Sequence, residues 1–197
     1  MSGLFIVFEG IDGSGKTGLC KRVHEALTAE GRTTIVTQEP TSDEIGSLIR
    51  KDGIPDITPA AEALLFTADR AVHTQRIARW LEEGVTVLCD RYFASTAAYQ
   101  SAAAGRDPAF TEWLLQMNLP VIRMPDLTFL LDLDAEEGEE RVNGRGAASR
   151  YEELAYQREV RKAYLDLAER FDFKIIAADR GRDEVLEEVL QLIRSVF

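Results

Sequence analysis

The chain has 197 residues, of which 45% are hydrophobic and 29% charged, and its formal net charge is −11. This composition predicts one folded domain over residues 1–197 and excludes wholesale disorder, because a chain of this length buries most of its apolar surface. The acidic excess repels polyanions, so we expect neither nucleic acid nor a membrane surface as a partner. The chain has no signal-peptide pattern, and Cys20 and Cys89 lack metal-ligand spacing, so we expect reduced thiols and a cytoplasmic protein.

Short apolar runs rich in β-branched residues alternate with longer stretches of helical periodicity along the whole chain. The predicted strands are residues 4–9, 33–38, 85–89, 126–133 and 173–177. The predicted helices are residues 15–30, 43–51, 59–82, 93–104, 108–118, 135–142, 151–171 and 182–196. This alternation is typical of an α/β fold, so we predict a five-stranded parallel sheet flanked by helices on both faces.

Two stretches interrupt the alternation. Residues 53–56 contain glycine and proline between two predicted helices, which is typical of a turn. Residues 143–150 are small, polar and basic within an otherwise acidic chain. We interpret the second stretch as part of a mobile lid at about residues 141–151.

The first predicted strand leads into Gly10-Ile11-Asp12-Gly13-Ser14-Gly15-Lys16-Thr17, a full match to the pattern G-x-x-x-x-G-K-[ST]. Its glycines let backbone N–H groups converge on phosphate oxygens, and the helix that follows directs its positive end at the same anion. Lys16 would reach the β and γ phosphates, and the Thr17 hydroxyl would ligate Mg²⁺. The predicted triphosphate site therefore comprises Gly10, Gly13, Ser14, Gly15, Lys16 and Thr17.

The phosphate loop alone does not separate a motor ATPase, a GTPase switch and a small-molecule kinase. The chain has no Asn-Lys-x-Asp guanine reader, and it is short for a motor ATPase. Asp90-Arg91 follows the predicted strand 85–89, at the end of the strand where open α/β sheets bind ligands. Asp90 would hold Mg²⁺ or its waters, and Arg91 would clamp a second phosphate, although a helix cap with a solvated arginine remains the alternative.

Together with Glu39-Pro40, Leu65-Phe66-Thr67-Ala68-Asp69-Arg70 and Ser95-Thr96-Ala97-Ala98-Tyr99-Gln100, these motifs resemble the thymidylate kinases. The resemblance extends over residues 5–164, and the order and spacing of the blocks are more specific than any one of them. It implies the P-loop NTPase fold and in-line transfer of a phosphoryl group from ATP to dTMP with Mg²⁺, for dTTP biosynthesis. It also implies a homodimer packed through helices.

The same resemblance implies a role for individual residues. Phe66 would stack on thymine, Arg70 would donate to its O4, and Thr96 would bond its N3 edge. Tyr99 would press against the deoxyribose, and Arg91, with Arg50 as second candidate, would hold the acceptor phosphate. The implied dTMP site consists of Asp12, Glu39, Arg50, Phe66, Arg70, Arg91, Ser95, Thr96, Tyr99 and Gln100.

The phosphate loop itself contains no arginine, so the resemblance implies that a lid arginine stabilises the transferring group. Arg145 is the first candidate because glycines flank it, and Arg141 is assigned to the ATP site. The implied catalytic residues are Lys16, Arg91, Arg145 and Asp12. The chain departs from many relatives at Gln38, where arginine is common, and at Ser149, where aspartate is common.

Two other functions remain open from the sequence. A deoxynucleoside kinase shares these motifs, but its hydroxyl acceptor would need Glu39 or Asp90 as a base. A regulatory nucleotide-binding domain with a decayed acceptor pocket would bind ATP without turnover, and the set of Phe66, Arg70 and Arg91 argues against it. The preference for ATP over GTP and the tolerance for dUMP stay undetermined.

Overall fold

The structure is a computed structural model that describes residues 3–50, 56–142 and 150–197. Its strands are β1 (Phe5–Glu9), β2 (Thr34–Gln38), β3 (Thr86–Asp90), β4 (Leu127–Asp132) and β5 (Lys174–Ala177). Its helices are α1 (Lys16–Ala29), α2 (Glu44–Arg50), α3 (Pro59–Glu82), α4 (Phe93–Ala103), α5 (Pro108–Asn118), α6 (Ala135–Val142), α7 (Arg150–Phe171) and α8 (Arg182–Arg194). Most of the predicted boundaries lie within one residue of these.

The five strands form one sheet in the order β2-β3-β1-β4-β5, and every neighbouring pair is parallel. β1 is central and wholly buried, which explains why it is almost entirely apolar. Helices α1 and α8 contact each other, while α4 packs against α3, α5 and α7 in a second group. The predicted α/β fold with a five-stranded parallel sheet is therefore confirmed.

Helix ends follow local sequence signals that the chain carries. The Thr58 side chain accepts a hydrogen bond from the Ala61 N–H at 3.2 Å, so Thr58 is the N-cap that its position before Pro59 predicts. Gly31 and Gly84 follow α1 and α3 with φ of 83° and 81°, a left-handed conformation that favours glycine after a helix.

Because all the strands are parallel, their carboxyl ends meet at one edge of the sheet. β1 pairs with β3, with Phe8 opposite Asp90, so the loops that follow these two strands lie side by side. The sheet thereby brings the phosphate loop next to Asp90 and Arg91. Within the described ranges, no helix has the length and apolarity needed to cross a membrane. Residues 53–55 of the predicted turn at 53–56, and residues 143–149 of the predicted lid, lie outside those ranges.

Candidate active site

The phosphate loop connects β1 to α1 through three glycines with positive φ. Gly10, Gly13 and Gly15 have φ of 145°, 80° and 88°, conformations that L side chains rarely adopt. The loop also packs tightly, because a Cβ atom on Gly13 would lie 2.2 Å from the Gly138 carbonyl oxygen of α6. Position 13 therefore requires glycine, because its backbone has a positive φ and because a side chain there would collide with α6.

Lys16 is held inside this loop. Its side chain is buried, and Nζ donates to the Ile11 carbonyl at 3.0 Å and lies 3.7 Å from Asp12 Oδ1. Burial, together with the positive charge of Arg91, lowers the pKa of Lys16 to about 8 against the opposing effect of nearby carboxylates. Ser14 Oγ, also buried, finds no hydrogen-bond partner among the residues that the structure describes. Both groups are suited to an incoming phosphate.

Thr17 and Asp90 form the predicted metal-binding pair. Thr17 Oγ1 donates to Asp90 Oδ2, which joins the start of α1 to the end of β3. Asp90 Oδ1 is buried and has no hydrogen-bond partner within the described part of the chain. A hydroxyl and a carboxylate are the hard oxygen ligands that Mg²⁺ prefers, and Mg²⁺ completes its shell with phosphate oxygens and water. These residues therefore fit the ion that the sequence predicts.

A large cavity of about 950 Å³ opens from the phosphate loop toward the segment between β5 and α8. All the predicted ATP residues line it except Gly10. Arg141 borders the same cavity and donates to the Ala178 carbonyl at 3.1 Å. Arg180 and Arg182 line it as well. The sequence analysis missed these two because no motif marks the last loop of the sheet.

Arg91 lies at the boundary between this cavity and a second one. Its backbone has φ of 69°, and its Nη2 donates to Asp12 Oδ1. Its guanidinium also lies 5.2 Å from the centre of the Tyr99 ring. Arg91 and Asp12 both line both cavities, so one ion pair separates the two sites.

The second cavity has a volume of about 270 Å³, which suits a smaller ligand than the first. Its wall includes the predicted acceptor residues Asp12, Glu39, Phe66, Arg70, Arg91, Ser95, Thr96, Tyr99 and Gln100. Pro40, Glu62, Tyr92 and Tyr156 line it too, and the sequence analysis had not assigned them to the site. The Tyr156 hydroxyl donates to the Tyr99 carbonyl at 3.0 Å, which ties α7 to this wall.

Arg70 is buried at the back of the second cavity, and four acceptors hold its guanidinium. Nε donates to Glu39 at 2.7 Å, and Nη1 donates to Asn118 Oδ1. Nη2 donates to Thr96 Oγ1 at 3.0 Å and to the Tyr92 carbonyl at 3.1 Å. A guanidinium has five N–H groups, so one of them has no partner among the described residues. Asn118 had not been assigned from the sequence, because a lone asparagine at a helix end carries no signature.

Arg50 is the one predicted acceptor residue that does not line the cavity. Its side chain is exposed, and Nη2 donates to the Pro40 carbonyl. With its amide oxygen turned toward Arg50, Gln38 accepts from Nη1 at 2.9 Å. Arg50 thus lies against the Glu39-Pro40 segment, and its contact with a phosphate stays a prediction. Arg145 and Ser149 lie outside the described residues, so the lid arginine also stays a prediction.

Glu9 is a buried residue that bonds two residues of the second cavity's wall, and the sequence analysis missed it. Its carboxylate accepts from the backbone N–H groups of Tyr92 and Ser95 at 2.8 and 3.2 Å. It also accepts from Ser95 Oγ and, at 3.1 Å, from the Tyr164 hydroxyl. Burial raises the pKa of the Glu9 carboxyl, against the effect of these donors and of Arg91. The sequence signal for Glu9 was a carboxylate at the end of an otherwise apolar, buried strand, because a buried carboxylate requires hydrogen-bond partners.

A phosphate loop after the central strand, a hydroxyl–carboxylate pair for Mg²⁺ and an arginine shared by two cavities define a P-loop nucleoside monophosphate kinase. The family model described as thymidylate kinase matches residues 8–189. The chain therefore belongs to the thymidylate kinase family.

Similar curated proteins cover almost the whole chain. A probable thymidylate kinase of Pyrococcus abyssi is 44% identical over 98% of this chain and 97% of its own length. A probable thymidylate kinase of Sulfurisphaera tokodaii is 42% identical over 98% of this chain and 96% of its own length. A thymidylate kinase of Halothermothrix orenii is 39% identical over 99% of this chain and 98% of its own length.

Proposed function

We propose that the protein transfers the γ-phosphoryl group of ATP to dTMP, forming ADP and dTDP. The observation that carries this proposal is the meeting of two cavities at the Arg91–Asp12 ion pair. One cavity contains the phosphate loop, and the other contains an aromatic and arginine-lined wall. With one nucleotide in each cavity, the reacting phosphates would lie on either side of one guanidinium.

On the donor side, the loop amides and Lys16 hold the β and γ phosphates of ATP. The ammonium of Lys16 already points into the loop, where it donates to the Ile11 carbonyl at 3.0 Å and lies 3.7 Å from Asp12 Oδ1. Thr17 and Asp90 would hold Mg²⁺, which in this class of reaction neutralises charge on the transferring phosphoryl group.

On the acceptor side, Phe66 offers its ring to the base, and the remaining N–H of Arg70 is directed to a carbonyl oxygen. Glu39 and Asn118 fix the guanidinium so that it cannot turn away from the cavity. Arg91 then binds the phosphate of the monophosphate with Asp12 beside it. No general base is required, because the attacking phosphate oxygen is largely ionised near neutral pH.

A deoxynucleoside kinase is disfavoured by the partners of its two candidate bases. Asp90 is bonded to Thr17 at the metal pair, and Glu39 is bonded to Arg70 and to His73 Nδ1 at 2.9 Å. A carboxylate that is engaged in a buried pair is poorly placed to accept a proton from a sugar hydroxyl.

We also propose that the protein is a homodimer. Leu64 and Val72 of α3 are about half exposed and lie eight residues apart, which brings them near one face of the helix. Exposed apolar side chains that cluster on one helix are typical of an interface between subunits. Sedimentation of the purified protein would test this, and a monomer at micromolar concentration would contradict it.

The central experiment measures ADP release with ATP and Mg²⁺ in the presence of dTMP, thymidine, dUMP, dCMP, dAMP or dGMP. We expect dTMP to give the highest kcat/KM and thymidine to give no turnover. Lys16→Ala should lower kcat by at least about 100-fold while the fold remains intact, because the lysine stabilises charge at the transferring group. Lys162→Ala changes an exposed lysine of α7 that lines neither cavity and is the matched control. Turnover of thymidine, or near-normal turnover by Lys16→Ala, would refute the proposal.

A further inference from the structure

The side chain of Gln100 lines the second cavity, which we call the acceptor cavity. Of the two ends of its amide, only the NH₂ group is hydrogen-bonded to a described residue. Gln100 is 4% exposed, and its Nε2 donates to Glu62 Oε2 at 2.9 Å. Its Oε1 is buried and has no hydrogen-bond partner among the residues described by the structure. Glu62 and Gln100 both line the acceptor cavity. A buried acceptor without a partner usually belongs to a ligand or to water.

Glu62 determines which end of the Gln100 amide is left free. A carboxylate only accepts hydrogen bonds, so it can face the NH₂ group of an amide but not its oxygen. Turning the amide by half a rotation would set the Gln100 oxygen against a Glu62 oxygen and break the bond. With Glu62 in place, Gln100 is therefore held as an acceptor.

The cavity consequently offers a donor and an acceptor to the base. The donor is the remaining N–H of Arg70, and the acceptor is Gln100 Oε1. Thr96 is a weaker candidate acceptor for the base, because its hydroxyl oxygen already accepts from Arg70 at 3.0 Å. Thymine and uracil present the complementary pair, a carbonyl O4 and an N3–H. Cytosine presents the reverse pair, an amino group and an unprotonated N3.

We propose that Glu62 is a positioning residue that holds the Gln100 amide as an acceptor and thereby selects an imide pyrimidine over cytosine. This inference rests on the proposed function, because it requires a pyrimidine nucleotide in this cavity. Glu62 acts only through Gln100, so its effect should appear in the choice between bases rather than in phosphoryl transfer.

The test compares dTMP with dCMP in Glu62→Gln. A glutamine at this position can donate or accept, so Gln100 becomes free to adopt both orientations. We expect the ratio of kcat/KM for dTMP to that for dCMP to fall by roughly tenfold, the usual effect of one mismatched hydrogen bond in a buried site. We expect the change to appear in KM for the two monophosphates more than in kcat, because Glu62 acts on the base and not on the reacting phosphates. The matched control is Glu82→Gln, which makes the same change at an exposed position of α3.

Two further measurements keep the outcome decisive. Glu62→Ala removes the same partner without adding an amide and should also lower the ratio. dCMP is measured both as a substrate and as a competitive inhibitor of dTMP phosphorylation, so discrimination is obtained even where dCMP turnover is slow. A wild-type ratio in both variants, or an equal loss of dTMP and dCMP affinity, would overturn the inference. Failure of the wild-type protein to release ADP with dTMP would instead refute the proposed function.

Discussion

ATP binding should be coupled to protonation of Lys16. Burial and Arg91 lower the pKa of this lysine from its ordinary 10.5 to about 8 in the protein without ATP. The phosphates of ATP bring negative charge to the ammonium and should raise its pKa again. At about pH 8.5 only about a quarter of the free protein carries a charged Lys16, so ATP binding should take up about three-quarters of a proton. At about pH 7 the uptake should be only about a tenth of a proton.

The same linkage sets the sign of the pH dependence of affinity. Below about pH 8 the lysine is already charged, and the affinity for ATP should be nearly constant with respect to this group. Between about pH 8 and pH 10 each unit of pH should weaken binding by up to tenfold, because an increasing share of the binding energy is used to protonate Lys16.

Calorimetry in two buffers of different ionisation enthalpy measures the proton uptake directly. ATP itself contributes little at about pH 8.5, because its terminal phosphate is already fully ionised there. The variant Lys16→Met should bind ATP more weakly and lose the uptake, whereas Lys162→Met should behave as wild type. Absence of uptake in the wild-type protein, or equal uptake in Lys16→Met, would refute the reasoning.

Two further predictions concern the buried carboxylates. Asp90→Asn should raise the Mg²⁺ concentration needed for half-maximal rate by at least about tenfold, because an amide is a weaker ligand than a carboxylate. An unchanged Mg²⁺ titration would contradict the assignment of Asp90 to the metal. Glu9→Gln removes the buried charge and puts an amide NH₂ group where the Ser95 and Tyr164 hydroxyls now donate, so kcat/KM for dTMP should fall by about tenfold or more. Tyr164→Phe removes one of the bonds to Glu9 and serves as the milder comparison; wild-type kinetics in Glu9→Gln would show that Glu9 does not position Arg91.

The periodicity of the sequence was sufficient to predict the elements. Each strand is a short apolar run, and several helix ends carry a local signal such as Thr58-Pro59 or Gly84. The strand order could not be read from the same pattern, because buried parallel strands look alike and their pairing depends on how the helices pack. The order β2-β3-β1-β4-β5 became visible only in the structure.

The candidate site was predictable where a residue belongs to a contiguous motif. Most of the phosphate loop lines the first cavity, and the block around Gln100 lines the second. Glu9, Glu62 and Asn118 were not predicted, because each acts by bonding a residue that is distant in the chain. Arg50 belongs to no contiguous motif; its guanidinium lies against the Pro40 carbonyl, and its contact with a phosphate stays a prediction.

The contact between Arg91 and Asp12 means that the guanidinium is already neutralised before any nucleotide arrives. In the proposed reaction, an arriving phosphate would therefore take the place of a carboxylate at Arg91 rather than meet an unpaired charge. When the diphosphate product departs, Asp12 would return to the same nitrogen, so that no bare cation is re-exposed to water.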